Sequence, residues 1–171
     1  SAEDLERVAE LKKLSKADKQ EVTQLCDKAE LKIKTGQEEE AIKLLVQALA
    51  IDELHIETQH KLAMLYMKKQ LFSSASALFK QLATLTGDAL HYSHLGLALY
   101  QQSEFEGARN AYQKAVELDQ SRPQRFASLA QVYRSMGQLQ NAIIAANKAL
   151  EIDQSNLEFL LLLASIQDEK G

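Results

Sequence analysis

The chain has 171 residues, of which 46% are hydrophobic and 26% are charged, with a single proline. This composition is typical of a folded globular protein and excludes a disordered or collagen-like chain. The 20 Lys and Arg residues against 24 Asp and Glu give a formal net charge of −4, and no basic run is long enough to form a phosphate-binding stripe. We therefore expect no nucleic acid as a partner. The single cysteine, Cys26, cannot form an internal disulfide, and a chain of this length buries enough apolar surface to need none.

The sequence also indicates no direct insertion into a membrane. Its longest apolar run, Phe159 to Ala164, is far shorter than the ~20 residues that a membrane-spanning helix needs. The sequence begins with Ser rather than Met, and no charged stretch followed by an apolar run opens it, so no signal peptide is predicted in it. We expect a soluble protein, with the cytoplasm favoured unless a membrane anchor lies outside this sequence.

The first predicted element is a helix over Ser1 to Lys13. Its apolar residues recur at helical spacing: Leu5, Val8 and Leu11. Ser15-x-x-Asp18 is the signature of a capping box, which predicts the start of a further, extended helix. Residues 1–21 are therefore predicted to be an N-terminal capping helix and the start of the extended first helix.

From Val22 onward the chain repeats itself with a period of 34 residues, shortened once to 33. Three columns of small or apolar residues share this register: Ala41, Ala75, Ala108 and Ala142; Ala48, Leu82, Ala115 and Ala149; Leu45, Phe79, Tyr112 and Ala146. A leucine followed by a small residue forms a fourth column: Leu62-Ala63, Leu95-Gly96, Leu129-Ala130 and Leu163-Ala164. Several columns in one register indicate an internal structural repeat.

Each repeated unit is predicted to contain two helices, because its apolar residues recur at steps of three and four. The breaks between the two helices lie at Gly36, Gln70, Ser103 and Gly137. Glycine readily takes the left-handed conformation that ends a helix, so we expect Gln70 and Ser103 to serve less well there. Polar turns that begin at Asp52, Thr86, Asp119 and Asp153 separate one unit from the next.

This pattern resembles the tetratricopeptide repeat (TPR) family, a 34-residue helix-turn-helix unit with Leu-small-x-x-Tyr in its first helix and Ala-x-x-x-aromatic-x-x-Ala in its second. Tyr66 and Tyr133 complete the first signature, whereas Leu99 stands where the tyrosine of the third unit would be. The resemblance covers about Val22 to Gly171 and implies an all-α, right-handed superhelical solenoid of antiparallel helix pairs. We predict four complete repeats and the first helix of a fifth, with the boundaries 22–55, 56–88, 89–122, 123–156 and 157–171.

In the TPR family the first helices line a concave groove, and the signature residues are buried by stacking. The remaining first-helix positions give the predicted peptide-binding residues: Glu30, His60, Met64, Met67, His94, Leu97, Tyr100, Gln131 and Arg134. The middle of this set is apolar and pliable, since methionine accepts more than one side-chain shape. We expect the ligand to be an extended peptide or short helix of a partner protein, held by apolar anchors. The alternative is that Met67 and Tyr100 only cover the groove wall, or that a neighbouring segment occupies their place in the groove.

Chaperone-binding members of the family hold a terminal carboxylate with Lys, Asn, Asn, Lys and Arg on three consecutive first helices. The corresponding residues here are Cys26, Glu30, Lys61, Leu90 and His94, or, one repeat later, His60, Met64, His94, Gln124 and Ser128. Neither set matches, so we expect no useful affinity for acidic tails of the chaperone type.

The sequence contains no catalytic signature. It has no glycine-rich phosphate loop, no His-Glu-x-x-His, no paired cysteines and no Gly-x-Ser-x-Gly, so we expect no enzyme activity and no cofactor. His91-x-x-His94 places two imidazoles on adjacent helical turns, but no carboxylate or thiolate completes a metal tetrad. Cys26 has no adjacent histidine, which favours a small semi-buried side chain over a nucleophile.

The last predicted helix, over residues 157–171, is apolar almost all round. A solenoid end that faces water needs a polar outer face. Either the natural chain continues beyond Gly171 or another molecule covers this face. We favour the first interpretation, and expect self-association of the open end through Phe159, Leu160 and Leu163 as its consequence. Two alternatives to the peptide-binding scaffold follow: a self-assembling structural repeat protein, or the recruiting module of a longer enzyme or membrane-anchored protein.

Overall fold

The computed structural model describes residues 13–171, and all regular secondary structure in that part of the chain is α-helical. The helices are, in chain order, α1 (Lys16–Lys34), α2 (Glu38–Ile51), α3 (Ile56–Lys68), α4 (Phe72–Thr86), α5 (Ala89–Gln101), α6 (Phe105–Leu118), α7 (Pro123–Ser135), α8 (Leu139–Ile152) and α9 (Leu157–Lys170). The described part of the chain divides into two compact units, the first ending at Leu62 and the second covering residues 63–171. The predicted N-terminal helix with Leu5, Val8 and Leu11 lies outside the described residues.

The first unit contains α1, α2 and the start of α3. α1 begins with the predicted capping box: the Ser15 hydroxyl accepts from the Asp18 backbone N–H at 3.0 Å, and the Asp18 carboxylate accepts from the Ser15 N–H at 3.0 Å. Two N–H groups that would lack helical partners are thereby satisfied. α1 and α2 pack against each other through fully buried small and branched residues: Val22, Ala29, Ala41, Leu45 and Ala48.

The second unit contains the rest of α3 and the helices α4 to α9. The pairs α5–α6 and α7–α8 make its most extensive contacts. The core of these pairs is rich in alanine, and Ala108, Ala130, Ala142 and Ala146 are completely buried. Small residues let neighbouring helices approach closely, so the repeated alanine columns of the sequence are the helix–helix contact surfaces.

The turns within the helix pairs share one backbone conformation. Gly36 and Gly137 have φ of 76° and 72°, and Gln70 and Ser103 take the same left-handed conformation at 59° and 61°. A non-glycine residue pays about 1 kcal/mol or more for this conformation, so two of the four turns are locally strained. The helices nevertheless end where the sequence period places their breaks.

The all-α fold class predicted from the sequence is confirmed: the described residues form consecutive helix pairs and contain no strand. Among residues 13–171, no helix has the length and apolar character required to cross a bilayer.

Candidate functional site

In the first unit, the predicted site residues are Glu30 on α1 and His60 on α3. The Glu30 carboxylate accepts hydrogen bonds from Lys34 at 2.7 Å and from Lys61 at 2.9 Å. These bonds, that from Lys34 first, lower the pKa of Glu30 to about 2. Partial burial works against the charge of Lys61, but its hydrogen bonds to Glu57 and Glu30 outweigh this effect and raise its pKa. Glu30 is thus the centre of a small ion-pair network, and His60, the residue before Lys61, is half-buried.

Two of the predicted apolar residues in the second unit face solvent. Met64 on α3 is 42% exposed and Leu97 on α5 is 38% exposed. They occupy equivalent positions of consecutive repeats, since 33 residues separate them as they separate the two helices. A partner side chain can therefore reach both without any rearrangement of the core.

The two other predicted apolar residues, Met67 and Tyr100, contact neighbouring side chains of the protein. Met67 is half-buried against the core cluster that contains Ala63 and Phe79. The Tyr100 ring lies 5.6 Å from that of Phe105, and its hydroxyl is 3.0 Å from the Ser135 hydroxyl. These contacts favour the alternative that Met67 and Tyr100 cover the groove wall, and they leave Met64 and Leu97 as the accessible apolar residues.

A small cleft of about 190 Å³ lies beside Leu97, between α5 and α7. We call it the α5–α7 cleft; its lining residues are Leu90, Ser93, His94, Leu97, Tyr112, Arg122, Gln124, Arg125 and Ser128. The centre of the His94 ring lies 4.9 Å from that of Phe79, which fixes one wall. Burial raises the pKa of Tyr112 to about 12 against a hydrogen bond with Ser128, so its phenol is neutral under ordinary conditions. The cleft combines apolar, hydroxyl, amide and guanidinium groups, a mixture that suits a peptide side chain.

Arg125 holds the two walls of the α5–α7 cleft together. Its side chain is almost fully buried, with Nε donating to the Ser93 hydroxyl at 2.9 Å and Nη1 donating to the Asp119 carbonyl oxygen at 2.9 Å. Hydrogen bonds from Ser121 and then Arg125 hold the pKa of the Asp119 carboxyl far below its usual range. The guanidinium is therefore a structural tie, whereas Arg122 and Gln124 are exposed at the rim.

At the far end of the predicted groove, Gln131 on α7 is half-buried. Arg134, on the same helix, is hydrogen-bonded to side chains of α9. Arg134 donates from Nη2 to the Ser165 hydroxyl at 2.8 Å and from Nε to the Glu169 carboxylate at 2.7 Å. This pairing raises the pKa of Arg134 and lowers that of Glu169. Arg134 thus ties α7 to α9, and a ligand would have to compete with Glu169 for it.

One predicted self-association residue requires correction. Phe159 is 2% exposed and packs in a core cluster with Phe126, Ala127 and Ala149, so it is not part of an open face. The Asn156 side chain caps the Phe159 N–H at 3.2 Å, and the rotational register set by this start turns the ring inward. The exposed apolar residues of α9 are Leu157 at 68%, Leu161 at 61% and Leu160 at 43%. Leu163 is half-buried against the core cluster of α7 and α8.

Sequence reasoning did not connect Leu90, Ser93, Arg122 and Arg125 into one cleft. A signal was present in the register: Thr58, His91 and Arg125 are equivalent residues near the start of α3, α5 and α7. Each binds the turn before its helix, Thr58 to His55 at 2.7 Å and His91 to Thr86 at 2.8 Å. A polar residue that recurs at this position therefore indicates a tie to the preceding turn.

The remaining candidate ligands do not assemble into a metal site. Within residues 13–171, no group of three or more His, Cys, Asp or Glu side chains lies close enough to hold a metal ion. Cys26 is buried, its Sγ lies 2.8 Å from the Thr58 hydroxyl, and burial raises the pKa of its thiol. A neutral buried thiol is a poor nucleophile.

Comparison with known proteins identifies the repeat. A TPR repeat model matches residues 96–137, and a tetratricopeptide repeat model matches residues 25–53 and 124–156. No curated protein matches the sequence with significance. Among solved structures, the chain is similar to MamA protein, with 28% identity, coverage of 88% of this chain and 82% of that one, and a TM-score of 0.83.

Two more distant structures share the fold. MamA 41-end from Desulfovibrio magneticus RS-1 is 16% identical, with 88% and 85% of the two chains covered and a TM-score of 0.81. YrrB, a TPR protein with an unusual peptide-binding site, is 18% identical, with 85% and 76% covered and a TM-score of 0.75. Together with the repeat register and the helix bounds, the matches establish that this chain belongs to the tetratricopeptide repeat family.

Proposed function

We propose that this TPR chain is a non-catalytic scaffold that binds an extended peptide or a short helix of a partner protein on its first helices. The family and fold support a role in protein interaction. YrrB, a protein of this fold, has a peptide-binding site. The proposal places the ligand of this chain across α3, α5 and α7.

The observation that carries the proposal is the exposure of Met64 and Leu97 at equivalent positions, with the α5–α7 cleft beside Leu97. Apolar side chains that face water in register offer anchor points for alternate residues of an extended ligand. Arg122 and Gln124 at the rim supply hydrogen-bond donors for its polar groups. The ligand we infer therefore has an apolar anchor residue next to a polar or acidic one.

The test is selection of binders from a random peptide library displayed on phage, followed by affinity measurement of the selected peptides by fluorescence anisotropy. The Met64→Glu, Leu97→Glu double variant should weaken binding by at least about tenfold, because two charges replace the apolar anchors. Circular dichroism confirms that the variant is folded.

A control is Ile144→Glu, which places one such charge on a similarly exposed apolar residue of the second helix α8. We expect Ile144→Glu to leave peptide affinity unchanged. Equal affinity of the wild type and the double variant would contradict a site on the first helices.

The exposed face of α9 favours a second candidate, self-association of the chain. Leu157, Leu160 and Leu161 form an apolar stripe along the open side of this helix. Sedimentation velocity over a range of concentrations should then show a dimer or larger species that Leu161→Glu converts to monomer, while Ile144→Glu does not. A wild-type chain that stays monomeric at high concentration would eliminate this candidate.

A further inference from the structure

A second and larger cleft lies on the second helices of the repeats, in the unit that covers residues 63–171. Its volume is about 700 Å³, and we call it the α4–α6 cleft because α4 and α6 form its sides and α5 its floor. Its lining residues are Ser73, Ser76, Ala77, Lys80, Ala83, Thr84, Tyr92, Leu95, Leu99, Gly107, Asn110 and Ala111. None of them lines the α5–α7 cleft, so the two sites are separate.

Several repeat positions that line this cleft carry smaller residues than the equivalent positions of the next interval, which leaves space here. Ser76, Ala83 and Leu99 correspond in register to Arg109, Val116 and Tyr133. In the following interval the Tyr133 hydroxyl accepts a hydrogen bond of 2.7 Å from the Gln113 side-chain amide, so those side chains meet across the space. Leu99, the residue that departs from the family signature, has no hydroxyl to form such a bond.

The walls of the α4–α6 cleft are apolar at depth and rich in donors at the rim. Leu95, Ala83 and Ala111 are buried at its base. Lys80 and Asn110 are exposed at the rim and Tyr92 is half-buried. Among the described residues, no side chain pairs with the Lys80 ammonium or the Tyr92 hydroxyl, and the lining contains no acidic residue. The net charge of the lining is therefore positive.

We propose that the α4–α6 cleft binds a small organic anion with an apolar body and an anionic group such as a carboxylate or sulfonate. The volume lies within the range of about 300–1,000 Å³ typical of small-molecule sites. The body of the ligand packs on Leu95, Leu99 and Ala111, and its anionic group faces Lys80, with Tyr92 as an additional donor. This inference does not depend on peptide binding at the first helices.

The probe is 8-anilinonaphthalene-1-sulfonate, an apolar aromatic anion, titrated into the full chain and followed by its fluorescence. Leu99→Tyr restores the family residue and should fill the cleft, weakening probe binding by about tenfold, a loss of about 1.4 kcal/mol. Ala83→Val narrows the cleft from the side of α4 and gives a second, independent test if Leu99→Tyr does not fold. Lys80→Gln should weaken probe binding by about threefold at low ionic strength, since an exposed charge contributes modestly.

Two controls locate the probe. Leu97→Asn and Leu161→Ser alter two other exposed apolar surfaces, on α5 and α9, and should leave the titration unchanged. N-phenyl-1-naphthylamine, an uncharged analogue, should bind more weakly than the anion to the wild type. The site is refuted if folded Leu99→Tyr or Ala83→Val binds the anion as tightly as the wild type. The anion preference is refuted if the uncharged analogue binds equally well or Lys80→Gln has no effect.

Discussion

Gly96 lies where α5 packs against the Tyr112 ring of α6. A Cβ atom at this position would lie 2.8 Å from Cδ2 and Cε2 of the Tyr112 ring, which is itself buried in the core. Alanine is the better helix former by about 1 kcal/mol, but the ring cannot move away without disturbing its own packing. The steric clash with Tyr112 therefore outweighs the gain in helix propensity at this residue.

We expect Gly96→Ala to lower the free energy of unfolding by about 1–3 kcal/mol, the usual cost of overpacking a core. Gly107→Ala is the matched control, because its Cβ would meet only the end of the Leu99 side chain at 3.2 Å, next to the open α4–α6 cleft. That change should be neutral or stabilising by up to about 1 kcal/mol. Urea denaturation measures the free energy of unfolding of both variants. If Gly96→Ala were as stable as Gly107→Ala, the Tyr112 ring would be able to move aside without cost.

The ion pairs of Glu30 make a second prediction at the residue scale. Its pKa in the folded chain is about 2, against an ordinary value of 4.5. A carboxyl whose pKa is lowered by folding stabilises the fold above its unfolded-state value, and this contribution is lost as the pH falls. The relevant window therefore runs from about pH 4.5 down to about pH 2.

Glu30→Gln should make the free energy of unfolding less dependent on pH within this window. The Glu30 side chain is exposed, so salt can screen its ion pairs. In roughly 1 M NaCl the screening length is only ~3 Å. We therefore expect this salt level to reduce the difference in acid stability between the variant and the wild type. Glu158→Gln removes an exposed carboxylate that forms no ion pair with the described residues and is the control. Identical acid unfolding of the wild type and Glu30→Gln would contradict the role of the network with Lys34 and Lys61.

At the scale of the elements, the turns inside the helix pairs determine where one helix ends and the next begins. The backbone N–H of Leu71 bonds to the Tyr66 carbonyl at 2.8 Å, and that of Glu104 bonds to the Leu99 carbonyl at 3.0 Å. The equivalent bond in the turn that contains Gly137 runs from the Gln138 N–H to the Tyr133 carbonyl at 2.9 Å. The turn therefore demands a left-handed residue whatever its side chain.

Gln70→Gly and Ser103→Gly should each stabilise the chain by up to about 1 kcal/mol, because glycine adopts positive φ without steric cost. Gly137→Ala should destabilise it by about 1 kcal/mol for the opposite reason. A Cβ at Gly137 would meet no atom within 4 Å, so crowding does not confuse the comparison. Thermal unfolding distinguishes the two classes, and a loss of stability in both glycine variants would contradict strain at Gln70 and Ser103.

The sequence predicts helices more completely than the site, for reasons visible in individual residues. Helix ends follow from local chemistry, as in the Ser15 capping box and Pro123 at the first position of α7, so period and cap residues suffice. Accessibility depends on contacts between helices. The nearly all-apolar sequence of α9 does not distinguish Phe159 from the exposed leucines beside it, and its packing with Phe126 and Ala149 shows that it is core.

The same limit applies to charged groups. Arg134 has the spacing of a ligand-binding residue, yet Ser165 and Glu169, 31 and 35 residues further along the chain, bind it. Leu99 is recognisable in the sequence as a departure from the tyrosine signature, but the cleft that it leaves depends on Ser76 and Ala83 as well. Contacts between side chains of different repeats are thus the feature of the site that only the structure reveals.

At the scale of the whole molecule, a repeat protein is stabilised mainly by contacts between neighbours in the chain. In the second unit, each helix packs chiefly against the preceding and following helices. In such an array the extent of the region that a substitution destabilises depends on how many neighbouring repeats contact the substituted one. Two buried phenylalanines, Phe79 in α4 and Phe159 in α9, allow this to be tested with one chemical change.

Both Phe→Ala substitutions remove a fully buried ring and should cost about 3–5 kcal/mol locally. With Phe159→Ala we expect faster amide hydrogen exchange mainly in α9 and the adjacent parts of α7 and α8, because Phe126, Ala127 and Ala149 lose their contact. With Phe79→Ala the cluster that joins α4, α5 and α6 is weakened, so exchange should rise across those interior helices. Hydrogen exchange measured by mass spectrometry separates the patterns. Uniform acceleration along residues 63–171 in both variants would show instead that this unit unfolds as one cooperative block, since then the position of the lost ring would not matter.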